Sequence, residues 1–265
     1  MKPYFSIITV TKDTEKKIDL TIRSVLSQSF KNFEYLIVDG NSTDSTFDKI
    51  NRYKKNKKIK IFRRADKNFY DSLNYATSKA KGNYISIINS GDIYFSSNVL
   101  MNISNCIKQN QDVHFYFSNL IYFNEKKKVK RIWDQIILKN SLLDAFMIAH
   151  PTIFLKRKIA MKFKYDDNYK ISADLDLILA LIKNNITYKY LNIFTIAMAT
   201  GGMSTSYNNI FQKLKEDMKV YKKYFKNYIL LFFFQKLRKL KSLRLFHDKY
   251  FSSQIEKNIN YLNLL

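Results

Sequence analysis

The chain has 265 residues, of which 46% are hydrophobic and 15% aromatic, and it contains only five Gly and two Pro. This composition suits one large folded domain, or a domain with an appendage, and excludes a disordered or loop-rich protein. A single Cys excludes a disulfide framework and a Cys-based zinc site, while the net charge of +24 indicates a polyanionic neighbour: nucleic acid, an anionic membrane or phosphorylated substrates.

The first residues lead directly into a strand pattern and lack the shape of a signal peptide. The apolar runs are shorter than the ~20 residues that span a bilayer. We therefore expect a reducing, cytoplasmic compartment.

The first third of the chain alternates strands with helices. The predicted strands cover 5–10, 33–38, 59–62 and 84–88. The predicted helices begin at Ile18, Phe47, Phe69 and Ser97. This alternation indicates βαβ units and a parallel sheet. Three strands are followed by an acidic residue, namely Asp39, Asp66 and Asp92, and three acids at the carboxyl edge of one sheet suggest one ligand site.

The fourth strand ends in a small polar turn that contains Gly91 and Asp92. A carboxylate at this place can bind a hard divalent cation on a diphosphate. Asp92 could instead cap the next helix, and this turn alone favours capping until the other two strand-end acids are considered. Gly82, before the strand, is a candidate helix C-cap.

The pattern changes after residue 113. The two runs 114–123 and 129–133 predict an antiparallel hairpin, 142–150 a helix and 151–155 an extended segment. Ser172 and Asp174 open an apolar helix that ends near Ile182, and either residue could cap it. A strand at 188–196 and a loop at 201–205 follow.

From Tyr207 the chain is basic, aromatic and helical, with 11 Lys and 2 Arg against 2 Asp and 2 Glu, hence 13 − 4 = +9. The predicted apolar face of this tail consists of Leu237, Leu240, Leu243 and Phe246. The face and the apolar run 229–234 before it suit burial at a membrane interface. Packing against the rest of the protein remains an equal alternative. The expected domains are 1–206 and 207–265.

Eight motifs together resemble the GT-A glycosyltransferases of family 2, in the branch that assembles bacterial polysaccharides. They lie at 6–11, 24–29, 37–44, 66–71, 80–85, 89–92, 173–177 and 201–205. Each motif is weak alone, but eight in the family's order on a compatible strand and helix frame are specific. The resemblance implies an α/β fold of GT-A type, with a mainly parallel central sheet flanked by helices, extended here by the helical tail.

The resemblance also implies the donor site. Asp39 would accept hydrogen bonds from the nucleotide base, with the loop of Thr9 and Thr11 nearby. Asp66 and Asp71 would line the nucleotide and donor-sugar side.

For the chemistry, the resemblance implies that Asp92 holds Mg²⁺ or Mn²⁺ against the diphosphate. Asp174 would be the general base that takes the proton of the acceptor hydroxyl, so that direct displacement inverts the anomeric carbon. Asp176 points elsewhere on a helix, and we expect it to be structural or to orient the acceptor.

Four positions bear on how closely the chain follows the family pattern. Gly91 replaces an Asp that many relatives carry, Asn68 replaces a Gly, and Ala180 replaces an Arg. His150 matches a common His, and either an acceptor contact or a structural role suits it.

The resemblance implies an inverting transfer of a sugar from a nucleotide-sugar, with a UDP-sugar the first expectation, to a glycan or polyprenyl-linked acceptor in surface polysaccharide synthesis. The expected partners include an anionic membrane surface on the inner face of the cell membrane. One alternative is an inactive membrane-associated scaffold with this fold, suggested by Gly91 and Ala180. The other is a nucleic-acid-binding protein, suggested by the charge, although acids in a binding face oppose phosphate contact; we expect no nucleic acid partner.

Overall fold

A computed structural model describes residues 2–123, 129–133, 141–200 and 209–242 of the protein. Its first part alternates strands and helices, as predicted. The elements are β1 (Phe5–Thr11), α1 (Ile18–Leu26), β2 (Phe33–Asp39), α2 (Thr46–Asn51), β3 (Ile59–Arg63), α3 (Phe69–Lys79) and β4 (Tyr84–Ile87).

The second part is mixed. Its elements are β5 (Ile93–Tyr94), α4 (Val99–Gln109), β6 (Phe115–Phe123), β7 (Val129–Trp133), two 3₁₀ helices (Leu142–Phe146 and His150–Thr152), β8 (Phe154–Lys156), α5 (Arg157–Lys162), α6 (Ala173–Lys183), β9 (Tyr188–Ala199), α7 (Ile210–Tyr224) and α8 (Tyr228–Ser242). The predicted hairpin is confirmed as β6 and β7. The single helix predicted at 142–150 is wrong: a 3₁₀ helix covers only Leu142–Phe146, Ala149 is extended, and a second 3₁₀ helix begins at His150.

The strands form one sheet in the order β3-β2-β1-β4-β8-β6-β9-β5, with β7 paired to β6. The four strands β1 to β4 are parallel, whereas β8 pairs antiparallel with both β4 and β6. The chain proceeds outward from β1 to β3 and then returns to place β4 on the other side of β1. The carboxyl ends of β1 and β4 therefore flank a topological switch point, where open α/β sheets bind ligands.

Both faces of the sheet are covered. On one face, α1 and α4 bury residues such as Ile22 and Ile103 against β1 and β2. On the other face, α3 and α6 bury Leu73 and Leu177. Burial on both sides explains why the parallel strands read as continuous apolar runs rather than as alternating ones.

The helices of the tail pack on this second face. Val220 and Tyr221 of α7 and Phe232 of α8 belong to the same buried cluster as α3 and α6. None of the described helices has both the length and the apolar character needed to cross a bilayer. The side chains of 236–242 and all of 243–265, which carry the predicted apolar face of the tail, lie outside the described residues, as does the loop 201–205.

Candidate active site

Asp39 ends β2 as a fully buried carboxylate. Its Oδ1 accepts a hydrogen bond from the Ser42 hydroxyl (2.5 Å), and its Oδ2 accepts one from the Ser42 backbone N–H (3.1 Å). The Arg63 guanidinium lies 3.4 Å from the same Oδ2. Between the strand and Ser42, Asn41 has φ of 55°, a left-handed conformation that Asn tolerates better than most residues. This tight turn holds Asp39 in one orientation at the carboxyl edge of the sheet.

Asp66 lies beside the end of β2. A Cβ placed on Gly40 would be 3.1 Å from Asp66 Oδ2, so the carboxylate rests against the glycine. The Ser72 hydroxyl of α3 donates to the same oxygen. The structure therefore brings Asp39 and Asp66 together, whereas a ligand site shared by these two acids and Asp92 stays a prediction.

Asp71 is engaged in the first turn of α3. Its Oδ2 accepts the Lys67 backbone N–H (3.1 Å) and forms an ion pair with Arg64 (3.1 Å). Asn68 stands where the resemblance leads us to expect a glycine. Its side chain caps the helix by accepting hydrogen bonds from the backbone N–H groups of Tyr70 and Asp71. A direct contact between Asp71 and a ligand remains a prediction.

Thr9 and Thr11 occupy β1 differently. The Thr9 hydroxyl is fully buried, donates to the Ile88 carbonyl (2.7 Å) and contacts the Tyr35 hydroxyl (2.9 Å). A ligand contact by Thr9 therefore stays a prediction that its burial argues against. Thr11 ends the strand opposite Asp39, and its hydroxyl meets that of Thr14 (2.5 Å), in the loop that borders the site.

Asp92 is buried, with 3% of its surface exposed. Its Oδ1 accepts the backbone N–H of Ala199 at the end of β9 (3.0 Å), and its Oδ2 accepts the Asn89 amide (3.3 Å). Burial raises the pKa of Asp92 to about 7, against the lowering effects of these two hydrogen bonds and of the Lys17 charge. Asp92 thus joins the turn after β4 to β9.

The divalent cation that the resemblance implies would depend on Asp92, the sole carboxylate of its turn. Each Asp92 oxygen accepts one hydrogen bond and keeps lone pairs, and one or two carboxylates together with substrate phosphates are a common set of Mg²⁺ ligands. Asn89 Oδ1, which is buried without a hydrogen-bond partner among the described residues, is a further oxygen of this turn. In the described ranges, no three His, Cys, Asp or Glu side chains are grouped as metal ligands.

A lysine also borders this turn. Gly91 has φ of +99°, and a Cβ added to it would lie 3.2 Å from Lys17 Cδ. Lys17 is the residue before the first turn of α1, and it is exposed. The Thr14 hydroxyl lies 2.8 Å from that of Ser90, so the loop before α1 is fastened to the turn after β4.

Asp174 lies in the first turn of α6 and is half-buried. Its Oδ1 accepts the backbone N–H of Leu175 (2.8 Å) and lies 3.5 Å from the Tyr70 hydroxyl, which donates to the Ile171 carbonyl (2.6 Å). Ser172 is the N-cap residue of α6 but makes no side-chain capping hydrogen bond, and Asp174 lies inside the first turn. Tyr70 belongs to α3, which follows Asp66, so the start of α6 is tied to the edge that carries the strand-end acids.

Asp176 is buried, and its carboxylate pairs with Lys223 of α7 (2.8 Å). Its backbone carbonyl accepts the Tyr224 hydroxyl (3.2 Å). These contacts agree with the structural role expected from its position.

Sequence reasoning missed Glu216 of α7, which is 3% exposed. Its carboxylate accepts the backbone N–H groups of Lys170 (3.0 Å), Ile171 (2.8 Å) and Ser172 (3.1 Å). The neighbouring Asp217 accepts the Ser172 hydroxyl (2.7 Å). The tail helix thereby holds the loop that leads into Asp174. The signal in the sequence was an adjacent acidic pair inside a strongly basic segment.

His150 lies beneath this region, 8% exposed, with its Nε2 2.6 Å from the Tyr165 hydroxyl. The Tyr165 ring stacks on the Tyr70 ring at 5.5 Å. Burial lowers the pKa of His150, against the opposing attraction of the Asp174 charge. His150 thus supports Tyr165 behind the Tyr70 and Asp174 contact.

Comparison with known proteins agrees with the resemblance. The chain matches Glycosyl transferase family 2 over residues 6–169. It is 29% identical over 181 residues to the Escherichia coli UDP-Glc:alpha-D-GlcNAc-diphosphoundecaprenol beta-1,3-glucosyltransferase WfgD, covering 68% of this chain and 70% of that one. It is 24% identical over 209 residues to a PGL/p-HBAD biosynthesis glycosyltransferase of Mycobacterium tuberculosis, covering 77% and 80%.

Solved structures share the fold. S. aureus TarS in complex with UDP-GlcNAc superposes with a TM-score of 0.69 at 16% identity, covering 99% of this chain and 80% of that one. The mannosyltransferase PcManGT from Pyrobaculum calidifontis, solved with GDP-Man and Mn²⁺, gives 0.60 at 13% identity, covering 100% and 71%. These likenesses confirm the GT-A type of the fold.

Proposed function

Because this chain belongs to glycosyltransferase family 2, we propose that it transfers a sugar from a nucleotide-sugar to a hydroxyl of a glycan or lipid-linked acceptor, with inversion, in surface polysaccharide synthesis. One observation carries the proposal: Asp66 lies against Gly40 next to Asp39, and α3 contacts both Asp66, through Ser72, and Asp174, through Tyr70. Carboxylates grouped in this way would oppose contact with the phosphates of a nucleic acid.

Asp174 is the general base of the proposed reaction. Half-buried, and held by contacts to Leu175 and Tyr70, it retains an oxygen for the acceptor. The acceptor oxygen forms a bond to the anomeric carbon, its proton passes to Asp174, and the bond from that carbon to the phosphate oxygen breaks with its electron pair. One displacement of this kind inverts the anomeric centre.

Asp39 and Asp66 hold the nucleotide side of the donor. Ser42 and Arg63 orient Asp39, and a carboxylate has lone pairs left for an N–H of a base. A UDP-sugar is the first candidate, since TarS binds UDP-GlcNAc and WfgD is named for UDP-Glc. Thr11 borders this side, and a direct contact of Thr9 or Asp71 with the donor stays a prediction.

Asp92 would hold Mg²⁺ or Mn²⁺ against the donor diphosphate, where the cation would supply positive charge to the leaving group. PcManGT was solved with Mn²⁺, and Asp92 keeps lone pairs beside its two hydrogen bonds.

A membrane surface is the proposed place of action. On α8, Ile229, Leu230, Phe233 and Phe234 are 53–75% exposed and share one side of the helix, while Phe232 and Gln235 on the other side are buried. Exposed Lys222 and Lys226 precede this side. An apolar helix side next to cations suits shallow insertion into an anionic bilayer, where a lipid-linked acceptor is presented.

Donor hydrolysis tests the enzymatic proposal. The full chain should release nucleoside diphosphate from at least one of a panel of UDP-, GDP- and dTDP-sugars, and Asp174→Asn should slow that release. If no donor is hydrolysed under any condition while the protein is folded, the inactive scaffold is the better description.

A further inference from the structure

A polar cavity of about 240 Å³, the α7 cavity, lies between α7 and the loop that leads to α6. The strand-end acids and Asp174 are not among its described lining residues, so the α7 cavity is distinct from the donor side of the site. Beside Glu216, the loop and the helix each contribute three side chains to it, namely Asp166, Asn168 and Tyr169, and Gln212, Lys215 and Lys219.

The two lysines of the α7 cavity keep their charges available. Lys215 and Lys219 are exposed, and their ammonium groups have no ion pair or hydrogen bond with any residue that the structure describes. By contrast, Lys213 and Lys223 of the same helix each pair with a buried carboxylate. Because residues four apart share one helix face, both available ammonium groups can reach the same ligand.

The acids of the α7 cavity have other partners. The Glu216 carboxylate accepts the Gln212 amide (2.6 Å) in addition to its three backbone N–H groups. Asp166 Oδ1 accepts the backbone N–H and the side-chain amide of Asn168 (3.0 and 2.9 Å). Since N–H donors compensate both carboxylates, the two lysines are left for an anionic ligand.

The α7 cavity adjoins the segment that carries the proposed base. Glu216 lines the cavity, and its carboxylate also accepts the backbone N–H of Ser172 (3.1 Å). Asp174 is two residues beyond Ser172, so the two Cα atoms are at most about 7 Å apart. An anionic group in the cavity and a hydroxyl at Asp174 can therefore belong to one acceptor molecule.

The same face of α7 continues toward the proposed membrane side of α8. Lys222 is exposed and follows Lys219 by three residues, so it extends the basic face of the helix. The Tyr221 ring of α7 contacts the Phe232 ring of α8, with 5.3 Å between the centroids, so the two helices form one unit. The α7 cavity thus belongs to the same unit as the exposed apolar side of α8.

We propose that Lys215 and Lys219 bind the diphosphate of a lipid-linked acceptor. This rests on the proposed function, because it needs an acceptor whose hydroxyl reaches Asp174. A lysine is a compact positive charge that binds phosphates well, and two lysines match the two phosphates. The sugar next to the diphosphate extends to Asp174, and the lipid extends toward α8. No bond forms or breaks at the α7 cavity.

Isothermal titration calorimetry of the full chain with farnesyl diphosphate, a short polyprenyl diphosphate, tests the inference. Farnesol has the same apolar chain without the phosphates, and UDP, GDP and dTDP report on the donor side. Farnesyl diphosphate should bind about 10-fold more tightly than farnesol. Lys215→Gln with Lys219→Gln removes two charges at nearly equal helix propensity. It should abolish this difference and leave nucleotide affinity unchanged.

Lys54→Gln with Lys55→Gln is the matched control, because both residues are exposed and the net charge changes equally. Its affinity for farnesyl diphosphate should equal that of the wild type.

Three results would overturn the inference and leave the proposed function standing, provided that a nucleotide still binds. They are farnesyl diphosphate binding no tighter than farnesol, an unchanged affinity in the variant of the α7 cavity, and equal losses in the two double variants. A parallel loss of nucleotide affinity in the variant of the α7 cavity would assign the lysines to the donor and overturn their acceptor role. Absence of binding by all three nucleotides would overturn the proposed function and the inference with it.

Discussion

At the scale of residues, the acids of the site differ in how fully their oxygens are engaged. Asp92 and Asp176 are buried and hold elements together through Ala199 and Lys223. Asp174 is half-buried and keeps one oxygen without a protein contact among the described residues. A general base needs an oxygen that can accept a proton from the acceptor. This requirement favours Asp174 over Asp176, although the two residues are only two positions apart.

Asp174→Asn should reduce transfer by about 10² to 10⁴, the usual loss for a positioned general base, because the amide cannot accept the acceptor proton. Nucleotide binding should persist, since Asp39 and Asp66 are untouched. Steady-state transfer and calorimetry measure the two effects separately.

Asp176→Asn is the companion variant. It loses the Lys223 ion pair and should lower the melting temperature more than it lowers the rate at a temperature where the protein is folded. A larger rate loss in Asp176→Asn than in Asp174→Asn would show that Asp174 is not the general base.

The acids could be found from the sequence because each follows a strand or opens a helix, but their partners could not. The Ala199 N–H that binds Asp92 is 107 residues away along the chain. Gly82, expected as a helix C-cap, is another case: Ala80 takes the C-cap, and a Cβ on Gly82 would lie 2.5 Å from the Ser6 backbone nitrogen. Local patterns report turns and helix ends, whereas these contacts are set by packing between distant strands.

At the scale of elements, α7 positions the proposed base, Asp174. The Glu216 carboxylate gathers three N–H groups from the loop before α6, and Lys223 reaches Asp176 on α6 itself. Burial raises the pKa of Glu216, but the hydrogen bonds from Gln212 and from these N–H groups outweigh burial and hold it below its usual value. The helix predicted as part of a separate tail is thus in contact with the site.

Glu216→Gln should destabilise the protein by about 1–3 kcal/mol, because a charged acceptor of three N–H groups becomes neutral. The pKa of Glu216 is lower in the folded chain than in the unfolded one, so its stabilisation is present above about pH 4.5 and is lost as the pH falls through the folded pKa. Denaturant unfolding between pH 3 and 7, at intervals of about half a unit, measures this.

The control is Asp112→Asn, which removes one charge from an exposed residue. Its stability curve should run parallel to that of the wild type at low pH, whereas the curve of Glu216→Gln should be flatter. Parallel curves for all three proteins would show that Glu216 contributes no charge-dependent stability.

At the scale of the whole molecule, the parallel half of the sheet was predictable, because buried strands and amphipathic helices recur there with clear spacing. The tail was not, since a basic amphipathic helix has the same pattern on a membrane and on a protein core. In the structure, α7 buries Val220 and Tyr221, whereas α8 exposes the side that contains Leu230 and Phe233, and this exposed side is available for the proposed membrane contact.

Binding to vesicles tests that exposed side. The full chain should co-sediment with anionic liposomes and be released by high salt, since each basic residue near the surface contributes about 1 kcal/mol that ions screen. Leu230→Ser with Phe233→Ser should reduce binding at least tenfold, because two inserted apolar side chains are lost.

Point variants suit this test better than deletion of the tail, because removal of α7 and α8 would expose the apolar cluster that Val220, Tyr221 and Phe232 cover. Met101→Ser with Met161→Ser changes two exposed apolar residues on α4 and α5 and should leave vesicle binding unchanged. Equal binding by both double variants, or indifference to anionic lipid, would contradict membrane docking through α8.

The most direct measurement of the central claim is transfer itself. The full chain is incubated with UDP-, GDP- and dTDP-sugars and a polyprenyl-diphosphate-linked sugar, and mass spectrometry follows the acceptor. The account predicts that one donor, with a UDP-sugar first, adds the mass of a single sugar to the acceptor, and that Asp174→Asn abolishes the addition while still binding the nucleotide. Transfer by Asp174→Asn at the wild-type rate would contradict the account.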